Sequence, residues 1–298
     1  MFDISPIVDE INSCSKQIID LYKHHGPPCL CVIQVGDDPA SNVYVRNKTK
    51  VCENLGIKVR TIHTDYGITQ QELNNMIQRV NEDESIDAVL LQLPLPPHLN
   101  EKEAINSIAP SKDVDCLTDV NQGRLIGLNA NFDSDLECIA PCTPTGIAVA
   151  MSCINEFEDK PHVVIINRSR LVGVPLANIL LAKGIDATVT ICHSKTRNLV
   201  DICKTADVLV VAVGIPNFLT ADMVKPDALV FDVGINRVGD SLYGDVNVAS
   251  VLTKTDRITP VPGGVGRLTT AMLASNTVSL WAQKHDRRES ISQDMQNM

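Results

Sequence analysis

Hydrophobic and polar positions along this chain predict a parallel α/β architecture. Short apolar runs of strand length, rich in β-branched residues, recur between segments of helix length. The predicted strands are "CLCVIQVG", "IDAVLLQL", "HVVIINR", "ATVTICH", "ADVLVVAVG" and "ALVFDVGI". No internal repeat is evident in the sequence. The fold class predicted from this pattern is α/β.

The stretch "ASNVYVRNKTKVCENLGI" predicts one helix with a lysine on its apolar side. Asp38 and Pro39 favour a helix start, and Gly56 favours its end. At about 100° per residue, one arc of this helix carries Tyr44, Lys48, Val51 and Leu55. An inward-facing ammonium either extends along its stem to solvent or lines a wet cleft where its proton is used. The helix alone leaves both interpretations open.

Length and composition add a prediction of two domains. The chain has 298 residues, and 44% of them are hydrophobic, so ordinary buried cores can form. The acidic, loop-like piece from Asn129 to Pro141 leads into "PCTPTG", where proline and threonine interrupt regular structure. This piece is the predicted domain boundary.

Composition also argues against several classes of protein. No apolar run reaches the roughly 18 residues of a membrane span, and the N-terminus lacks a targeting pattern, so a cytoplasmic location is predicted. The ten cysteines form no C-x-x-C motif, which favours reduced core residues and predicts no metal site. A net charge of −10 argues against nucleic acid, while leaving room for a local basic pocket that binds an anionic small molecule.

The second half of the chain carries a candidate dinucleotide site. In "HVVIINRSRLVGVP" an apolar strand meets a polar turn, and Gly173 then opens a helix, as in sites that present backbone N–H groups to phosphate. Asn167 and Ser169 stand where glycines are usual, so this motif alone is balanced by a plain strand-to-helix turn. Gly214 and Gly234 follow two later strands, at the carboxyl ends where a dinucleotide lies.

Seven motifs, in order from about residue 30 to 285, resemble the bifunctional methylenetetrahydrofolate dehydrogenase/methenyltetrahydrofolate cyclohydrolase family. They are "VGDDPASNVYVRNKTKVCENLGI", "LLQLPLP", "PSKDVDCLTDVNQGRL", "PCTPTG", "NRSRLVGVP", "KPDALVFDVGIN" and "ITPVPGGVGRLTTAML". The resemblance implies oxidation of 5,10-methylenetetrahydrofolate to 5,10-methenyltetrahydrofolate with NADP, followed by hydrolysis to 10-formyltetrahydrofolate. A monofunctional NAD-dependent dehydrogenase and a non-catalytic folate- or dinucleotide-binding protein remain the alternatives.

The resemblance also implies a two-lobed organisation. Residues 1–141, completed by a C-terminal helix at 269–298, form the expected folate-binding lobe. Residues 142–268 form the expected Rossmann-type NAD(P)-binding lobe. The expected active site lies in the cleft between the lobes, and the expected assembly is a homodimer formed through the nucleotide lobes.

Four residues match the family's catalytic positions. Lys48 is expected to handle protons, Gln92 to orient it through a hydrogen bond, and Tyr44 to pack against the aminobenzoyl group of the folate. Asp115 in "KDVD" matches the acid that holds the pterin through two parallel hydrogen bonds, although a turn acid is the ordinary explanation for it alone. The expected folate-binding set is Tyr44, Lys48, Gln92, Asp115, Pro262, Gly263 and Gly264.

The expected cofactor-binding set is Asn167, Arg168, Ser169, Gly173, Ser194, Gly214, Gly234, Ile235 and Thr269. NADP is expected over NAD because the second strand of this lobe ends in "CHSKTR", without the acid that an NAD site places about 20 residues after the first turn. Arg168 resembles the family's arginine near the 2′-phosphate, and Ser194 is expected to donate another hydrogen bond. Some NAD-linked relatives keep such an arginine for inorganic phosphate and magnesium, so the arginine alone does not decide.

The chain departs from the family pattern at a few positions. Cys116, Asn167 and Asp227 replace usual glycines, and Arg267 and Leu268 replace a usual proline and methionine. Asn167 is expected to preserve its turn by tolerating a positive φ. Arg267 is expected to contact a cofactor phosphate or the folate glutamate tail, or to point to solvent.

Overall fold

The computed structural model describes residues 1–37, 39–127, 139–239 and 241–296, with the side chains of 39–41, 43, 44 and 287–296 left aside. The chain forms two compact units. The N-terminal unit contains residues 10–123, 139–140 and 270–296, and the C-terminal unit contains residues 1–9, 124–127 and 141–269. Most of the predicted boundary from Asn129 to Pro141, and the predicted helix cap Asp38, lie outside the described residues.

The secondary structure follows the α/β pattern that the sequence predicts. The helices are α1 (Ser5–Leu21), α2 (Pro39–Asn54), α3 (Gln70–Glu82), α4 (Glu101–Asn106), α5 (Asp119–Arg124), α6 (Cys142–Cys153), α7 (Gly173–Leu180), α8 (Leu199–Cys203), α9 (Val248–Val251) and α10 (Val265–Gln296). The strands are β1 (Cys29–Val35), β2 (Lys58–Thr64), β3 (Ala88–Leu91), β4 (His162–Ile166), β5 (Thr188–Cys192), β6 (Val208–Val211), β7 (Leu229–Asp232), β8 (Asn236–Val238) and β9 (Ser241–Tyr243). Short 3₁₀ turns occupy Lys23–His25, Leu125–Gly127 and Ala221–Met223.

The N-terminal unit is built on a parallel sheet in the order β2-β1-β3. The central strand β1 is buried along nearly its whole length, as its continuous apolar sequence predicts. Strand β2, "KVRTIHT", is not among the predicted strands. It forms the edge of the sheet, and its mostly exposed or half-buried polar side chains give it no apolar run for a sequence pattern to detect.

Helices α2 and α3 of this unit show how local sequence determines where a helix begins and which of its side chains are buried. Thr69 and Glu72 form a capping box at the start of α3. The buried residues of α2 include Val45 and Cys52, and Leu55, directly after the helix, continues the same face. At about 100° per residue Lys48 falls between Cys52 and Leu55 around the helix axis, so it lies on the apolar side as predicted, and it is half-buried.

The C-terminal unit is built on a parallel sheet in the order β5-β4-β6-β7. After β4 the chain goes to β5 on one side and then to β6 on the other, so the strand order reverses between β4 and β6. Open α/β sheets bind ligands beyond the carboxyl ends of the strands at such a reversal. The six predicted strands are confirmed as β1 and β3 to β7, whereas the antiparallel β8–β9 hairpin was not predicted.

The long helix α10 buries the residues that the apolar spacing selects, namely Leu268, Met272, Leu273 and Val278. Across the described ranges, no helix combines the length and apolar character that a bilayer crossing requires.

Candidate active site

Lys48 and Gln92 meet in the N-terminal unit. Gln92 directly follows β3, and its backbone N–H donates to the carbonyl of Ile33 on the central strand, 2.9 Å away. Its side-chain Nε2 donates to the carbonyl of Leu93 at 2.6 Å, which leaves Oε1 as the acceptor for another donor. Lys48 Nζ donates to that Oε1 at 3.3 Å. The hydrogen bond expected between these residues is therefore present, and both side chains are partly buried.

Asp115 lies on a loop that runs beside β3. Val89 of β3 donates its N–H to the carbonyl of Lys112 at 2.7 Å, and it forms a parallel bridge with Asp113. Asp115 is half-buried, and its carboxylate has no hydrogen-bond partner within the described part of the chain. A carboxylate without a protein partner is available to accept two parallel bonds from a ligand.

Asp113 anchors this loop, and the sequence prediction missed it. It is 1% exposed, and its carboxylate accepts from the N–H groups of Leu117 at 3.1 Å and Thr118 at 2.9 Å and from Nδ2 of Asn121 at 3.0 Å. Burial raises the pKa of the Asp113 carboxyl, and the hydrogen bonds from Thr118 and Leu117 oppose that shift. The signal in the sequence is the paired aspartates of "KDVD", in which the first acid holds the turn that carries the second.

The fourth predicted catalytic residue, Tyr44, lies in α2 one turn before Lys48, and its side chain is outside the described residues. The predicted stacking against folate therefore stays a prediction.

The first turn of the C-terminal sheet is closed by the side chain of Asn167. Its Oδ1 accepts from the N–H of Ser169 at 2.7 Å and of Gly173 at 3.0 Å, and its Nδ2 donates to the carbonyl of Ala212 at 2.6 Å. Asn167 is not among the residues with positive φ, so the expectation that it would preserve the turn in that way is wrong. The amide instead supplies hydrogen bonds that a glycine lacks.

Gly173 is required at the start of α7 by close packing. A Cβ at this position would lie 2.1 Å from the carbonyl oxygen of Asn167. Strand end, turn and helix start are thus in direct contact, which is the arrangement that brings backbone N–H groups close to a phosphate.

Arg168 and Ser194 lie beyond the same edge of this sheet. Ile166 pairs with Cys192 in the β4–β5 register, and each of the two predicted residues follows its strand by two positions. Both are exposed, and within the described residues neither side chain has a hydrogen-bond partner. The strand register therefore supports a position for Arg168 and Ser194 side by side at this edge of the sheet.

Gly214 and Gly234 follow β6 and β7 and differ in why they are glycine. Gly214 has φ +68° and open space where a Cβ would lie, so its backbone conformation requires glycine. Gly234 has a buried carboxylate in that space, because its Cβ would lie 2.1 Å from Cγ of Asp245. Asp245 and its neighbour Asp232 were not among the predicted site residues.

The remaining predicted residues lie on the segment that leads into α10 or near it. Pro262 follows a cis peptide bond, Gly263 has φ +105°, and a Cβ on Gly264 would lie 2.3 Å from the Pro260 carbonyl oxygen. In the second turn of α10, Thr269 Oγ1 lies 2.8 Å from Thr143 Oγ1 of α6. Ile235 is partly exposed, and its Cδ1 would lie 3.6 Å from a Cβ on Gly266.

Arg267 has a partner within the protein. Its Nη1 donates to Oγ of Ser5 at 2.8 Å, so the side chain reaches the start of α1. Arg267 is also exposed, so the contact with Ser5 adds a protein partner to the expected solvent-facing position, while the expected contacts with a cofactor phosphate or the folate tail stay predictions.

Two other residues that replace family glycines do have left-handed backbones. Cys116 has φ 55° and Asp227 has φ 61°. Both therefore keep the conformation for which glycine is favoured, unlike Asn167.

No group of three or more His, Cys, Asp or Glu side chains in the described ranges is arranged to hold a metal ion.

Two family models match the chain and together span most of it. Residues 2–115 match the model described as tetrahydrofolate dehydrogenase/cyclohydrolase, catalytic domain. Residues 141–285 match the NAD(P)-binding domain of the same family.

Individual relatives agree with these matches. The bifunctional protein FolD of Oleidesulfovibrio alaskensis is 46% identical over 274 residues, which cover 90% of this chain and 93% of that protein. The crystal structure of the bifunctional FolD dehydrogenase/cyclohydrolase from Campylobacter jejuni has a TM-score of 0.87 at 41% identity, covering 95% of this chain and 98% of that one.

A third relative is the dehydrogenase-cyclohydrolase of Trypanosoma brucei, whose structure is a complex with NADP and an inhibitor. It has a TM-score of 0.86 at 32% identity, covering 95% of this chain and 97% of that one. The family models, these relatives and the order of the motifs agree, and the chain belongs to the tetrahydrofolate dehydrogenase/cyclohydrolase family, with a catalytic and an NAD(P)-binding domain.

Proposed function

We propose that this protein catalyses two consecutive reactions, oxidation of 5,10-methylenetetrahydrofolate with NADP and hydrolysis of the resulting 5,10-methenyltetrahydrofolate to 10-formyltetrahydrofolate. The observation that carries this proposal is the hydrogen bond between Lys48 Nζ and Gln92 Oε1. Hydride transfer depends mainly on positioning, whereas hydrolysis requires proton transfer. A half-buried lysine held by an oriented amide supports the second activity.

The residues of the C-terminal unit fit a nicotinamide dinucleotide. The close contact between Gly173 and Asn167 brings the start of α7 against the first strand, and Gly214 presents open backbone at the end of β6. When bound, the dinucleotide accepts a hydride from the one-carbon bridge of the folate. In this step the protein's own contribution is to hold and orient the dinucleotide and the folate.

Hydrolysis is the reaction in which side chains of the N-terminal unit move protons. Water adds to the cationic bridge carbon and loses a proton. The bond from that carbon to N5 then breaks as N5 gains a proton and the added hydroxyl loses its remaining proton to become the formyl carbonyl, which leaves the formyl group on N10 and releases one proton overall. Lys48 is the group proposed to take and return the proton, with Gln92 fixing its position. Asp115 is proposed to hold the pterin.

NADP is the proposed cofactor, in preference to NAD. Arg168 and Ser194 are exposed beyond paired strands β4 and β5, and the cations Lys195 and Arg197 lie close behind in sequence. An arginine fork binds a phosphate through two parallel hydrogen bonds. The segment "CHSKTR" at this edge contains no carboxylate, which would repel a 2′-phosphate.

One spectrophotometric assay tests the proposed function. The protein is mixed with 5,10-methylenetetrahydrofolate and either NADP or NAD, and the absorbance of the methenyl product is followed over time. Formation with NADP followed by enzyme-dependent decay supports the proposal. Formation without accelerated decay indicates a monofunctional dehydrogenase, and no turnover with either cofactor indicates a binding protein.

A homodimer formed through the C-terminal units is also part of the proposal. The β8–β9 hairpin exposes Val238, Leu242 and Tyr243, and clustered exposed apolar side chains favour protein contacts. Sedimentation equilibrium of the parent and of Leu242→Asp tests this assembly, since the charge is expected to weaken an apolar interface.

The cytoplasmic location predicted from the sequence is tested by cell fractionation.

A further inference from the structure

Asp245 is a buried acceptor at the carboxyl edge of the C-terminal sheet. It is 0% exposed. Its carboxylate accepts from the backbone N–H of Val213 at 2.6 Å, Gly214 at 2.9 Å and Ile215 at 2.9 Å and from Nδ2 of Asn236 at 2.8 Å. Three consecutive backbone donors of one loop therefore converge on a single side chain.

Asp232 holds Asp245 in turn. It ends β7 and is 2% exposed. Its carboxylate accepts from the N–H of Asp245 at 2.8 Å and of Val246 at 3.1 Å. The acid that organises the loop is thus fixed by a second acid in the sheet.

The two aspartates interlock with two glycines. A Cβ on Gly234 would lie 2.1 Å from Cγ of Asp245, and a Cβ on Gly244 would lie 1.8 Å from Oδ2 of Asp232. Gly244 directly precedes Asp245 and leaves room for the carboxylate of Asp232. Gly234 lies two residues after Asp232 and leaves room for the carboxylate of Asp245. A side chain at either glycine would therefore collide with one of the two carboxylates.

The loop held in this way presents its opposite side to solvent. Ile215 is 52% exposed, and Gly214 has φ +68° with nothing within 4 Å of its missing Cβ. Burial of two neighbouring carboxylates costs free energy that an ordinary turn does not require. The arrangement therefore indicates that the position of this loop matters beyond folding.

We propose that Asp245, fixed by Asp232, is a positioning residue for nicotinamide dinucleotides. It sets the backbone at residues 213–215 so that Gly214 meets the part of the cofactor that NAD and NADP share. The inference rests on the proposed function and deepens it. Unlike Arg168, which is assigned to the 2′-phosphate, Asp245 affects both dinucleotides by the same factor.

Titration calorimetry of Asp245→Asn with NADP and with NAD tests the proposal. Each of the four hydrogen bonds to this carboxylate comes from an N–H donor. The variant keeps the size of the side chain but replaces one acceptor oxygen with an amide N–H₂ group, which cannot accept from these donors. Kd is expected to rise about 10- to 100-fold for both dinucleotides. Cyclohydrolase activity, which consumes no dinucleotide, is expected to stay unchanged. Asp256→Asn removes an exposed carboxylate of the same unit and is expected to bind as the parent does.

Parent-like affinity in a folded Asp245→Asn overturns the proposal. Equal loss of cyclohydrolase activity also overturns it, because that result indicates a general structural role. A rise in Kd for NADP alone overturns the assignment to the shared part of the cofactor.

A second variant applies if Asp245→Asn does not fold. Asn236→Ala removes one donor to Asp245, and its Kd is expected to rise about 2- to 10-fold for both dinucleotides. Hydrogen exchange at the N–H groups of 213–215 is expected to be faster in this variant, and unchanged affinity and exchange overturn the proposal. A parent that binds neither dinucleotide contradicts the proposed function, while exchange at 213–215 still reports whether Asp245 anchors the loop.

Discussion

The carboxyl ends of the two parallel sheets are organised in opposite ways. In the N-terminal unit, a side chain that can carry a proton is held by another side chain, because Lys48 donates to Gln92. In the C-terminal unit, buried side chains hold the backbone, and the cation Arg168 is exposed without a hydrogen-bond partner among the described residues. Acid/base chemistry requires an oriented functional group, whereas dinucleotide binding requires oriented backbone and a surface charge.

The buried acids of the two units sharpen this contrast. Asp113 is a single carboxylate surrounded by donors of its own loop. Asp232 and Asp245 are two buried acids joined by a hydrogen bond, because the Asp232 carboxylate accepts from the backbone N–H of Asp245. Burial is the largest cause that raises the pKa of Asp232, to about 6, and the nearby charge of Asp245 adds to the shift. The C-terminal edge therefore depends on pH in a way that can be measured.

The largest expected effect is at Lys48. Lys48→Met is expected to lower cyclohydrolase activity about 10²- to 10⁴-fold, because it removes the proposed proton-handling group, while calorimetric NADP affinity stays unchanged. Lys50→Met, an exposed position on the same helix, serves as the control and is expected to keep full activity. Retention of more than roughly a tenth of the hydrolysis rate by Lys48→Met would be inconsistent with the assignment.

The next effect is the pH dependence of stability at Asp232. Its pKa is raised from 3.8 to about 6 in the folded protein, so its contribution to stability is present below about pH 4 and is lost as the pH rises through about 6. The free energy of unfolding of the parent minus that of Asp232→Asn is expected to be larger at pH 4 than at pH 7, by up to ~3 kcal/mol.

Urea unfolding of both proteins across this pH range measures that difference. Asp256→Asn, at an exposed position, is the control and is expected to show a difference from the parent that does not change with pH. A pH-independent difference for Asp232→Asn would show that burial does not perturb this carboxyl.

A third experiment concerns Asp115, whose carboxylate is half-buried and unpartnered within the described residues. Asp115→Ala is expected to weaken the binding of a folate analogue by about 1.5 to 3 kcal/mol, because a charge-assisted pair is lost, and to slow both reactions. Calorimetry measures the binding, and Asp20→Ala, an exposed change in the same unit, is the control. Unchanged analogue binding would rule out the pterin assignment.

The smallest expected effect is at Arg168, on the exposed edge. Arg168→Ala is expected to lower kcat/KM with NADP about 10-fold and to leave kcat/KM with NAD nearly unchanged, because only NADP carries the 2′-phosphate. Lys183→Ala, which removes an exposed cation of the same unit, is the control and is expected to leave both values unchanged. Both cofactors are measured with and without phosphate and magnesium. Equal or better use of NAD by the parent, especially with phosphate stimulation, would overturn the NADP preference.

Sequence reasoning succeeded where structure is set by local pattern. Strands β1 and β3 to β7 follow continuous apolar runs, and α2 begins at Pro39 and ends before Gly56, as proline and glycine predict. It failed at β2, where polar side chains at a sheet edge leave no apolar run, and at the β8–β9 hairpin, where the strands are three residues long. Strand formation there depends on a neighbouring strand rather than on local pattern.

Sequence reasoning also identified positions without their contacts. Asn167 was expected to act through its backbone, but its side chain closes the turn through a bond to Ala212, 45 residues away. Arg267 was left with three possible directions, and its contact with Ser5 lies 262 residues away in sequence. No local pattern contains a hydrogen bond between such distant residues.

By itself the sequence determined the α/β class, six strands and, through its ordered motifs, the family, because apolar periodicity and short motifs are properties of neighbouring residues. Only the tertiary structure decided which buried acids organise the ligand edges. Asp245 reaches the N–H of Gly214 across 31 residues, and Gly234 is glycine because that carboxylate fills its Cβ space. Such contacts arise when strands β6 and β7 are paired and their following loops are brought together, so the folded chain is needed to see them.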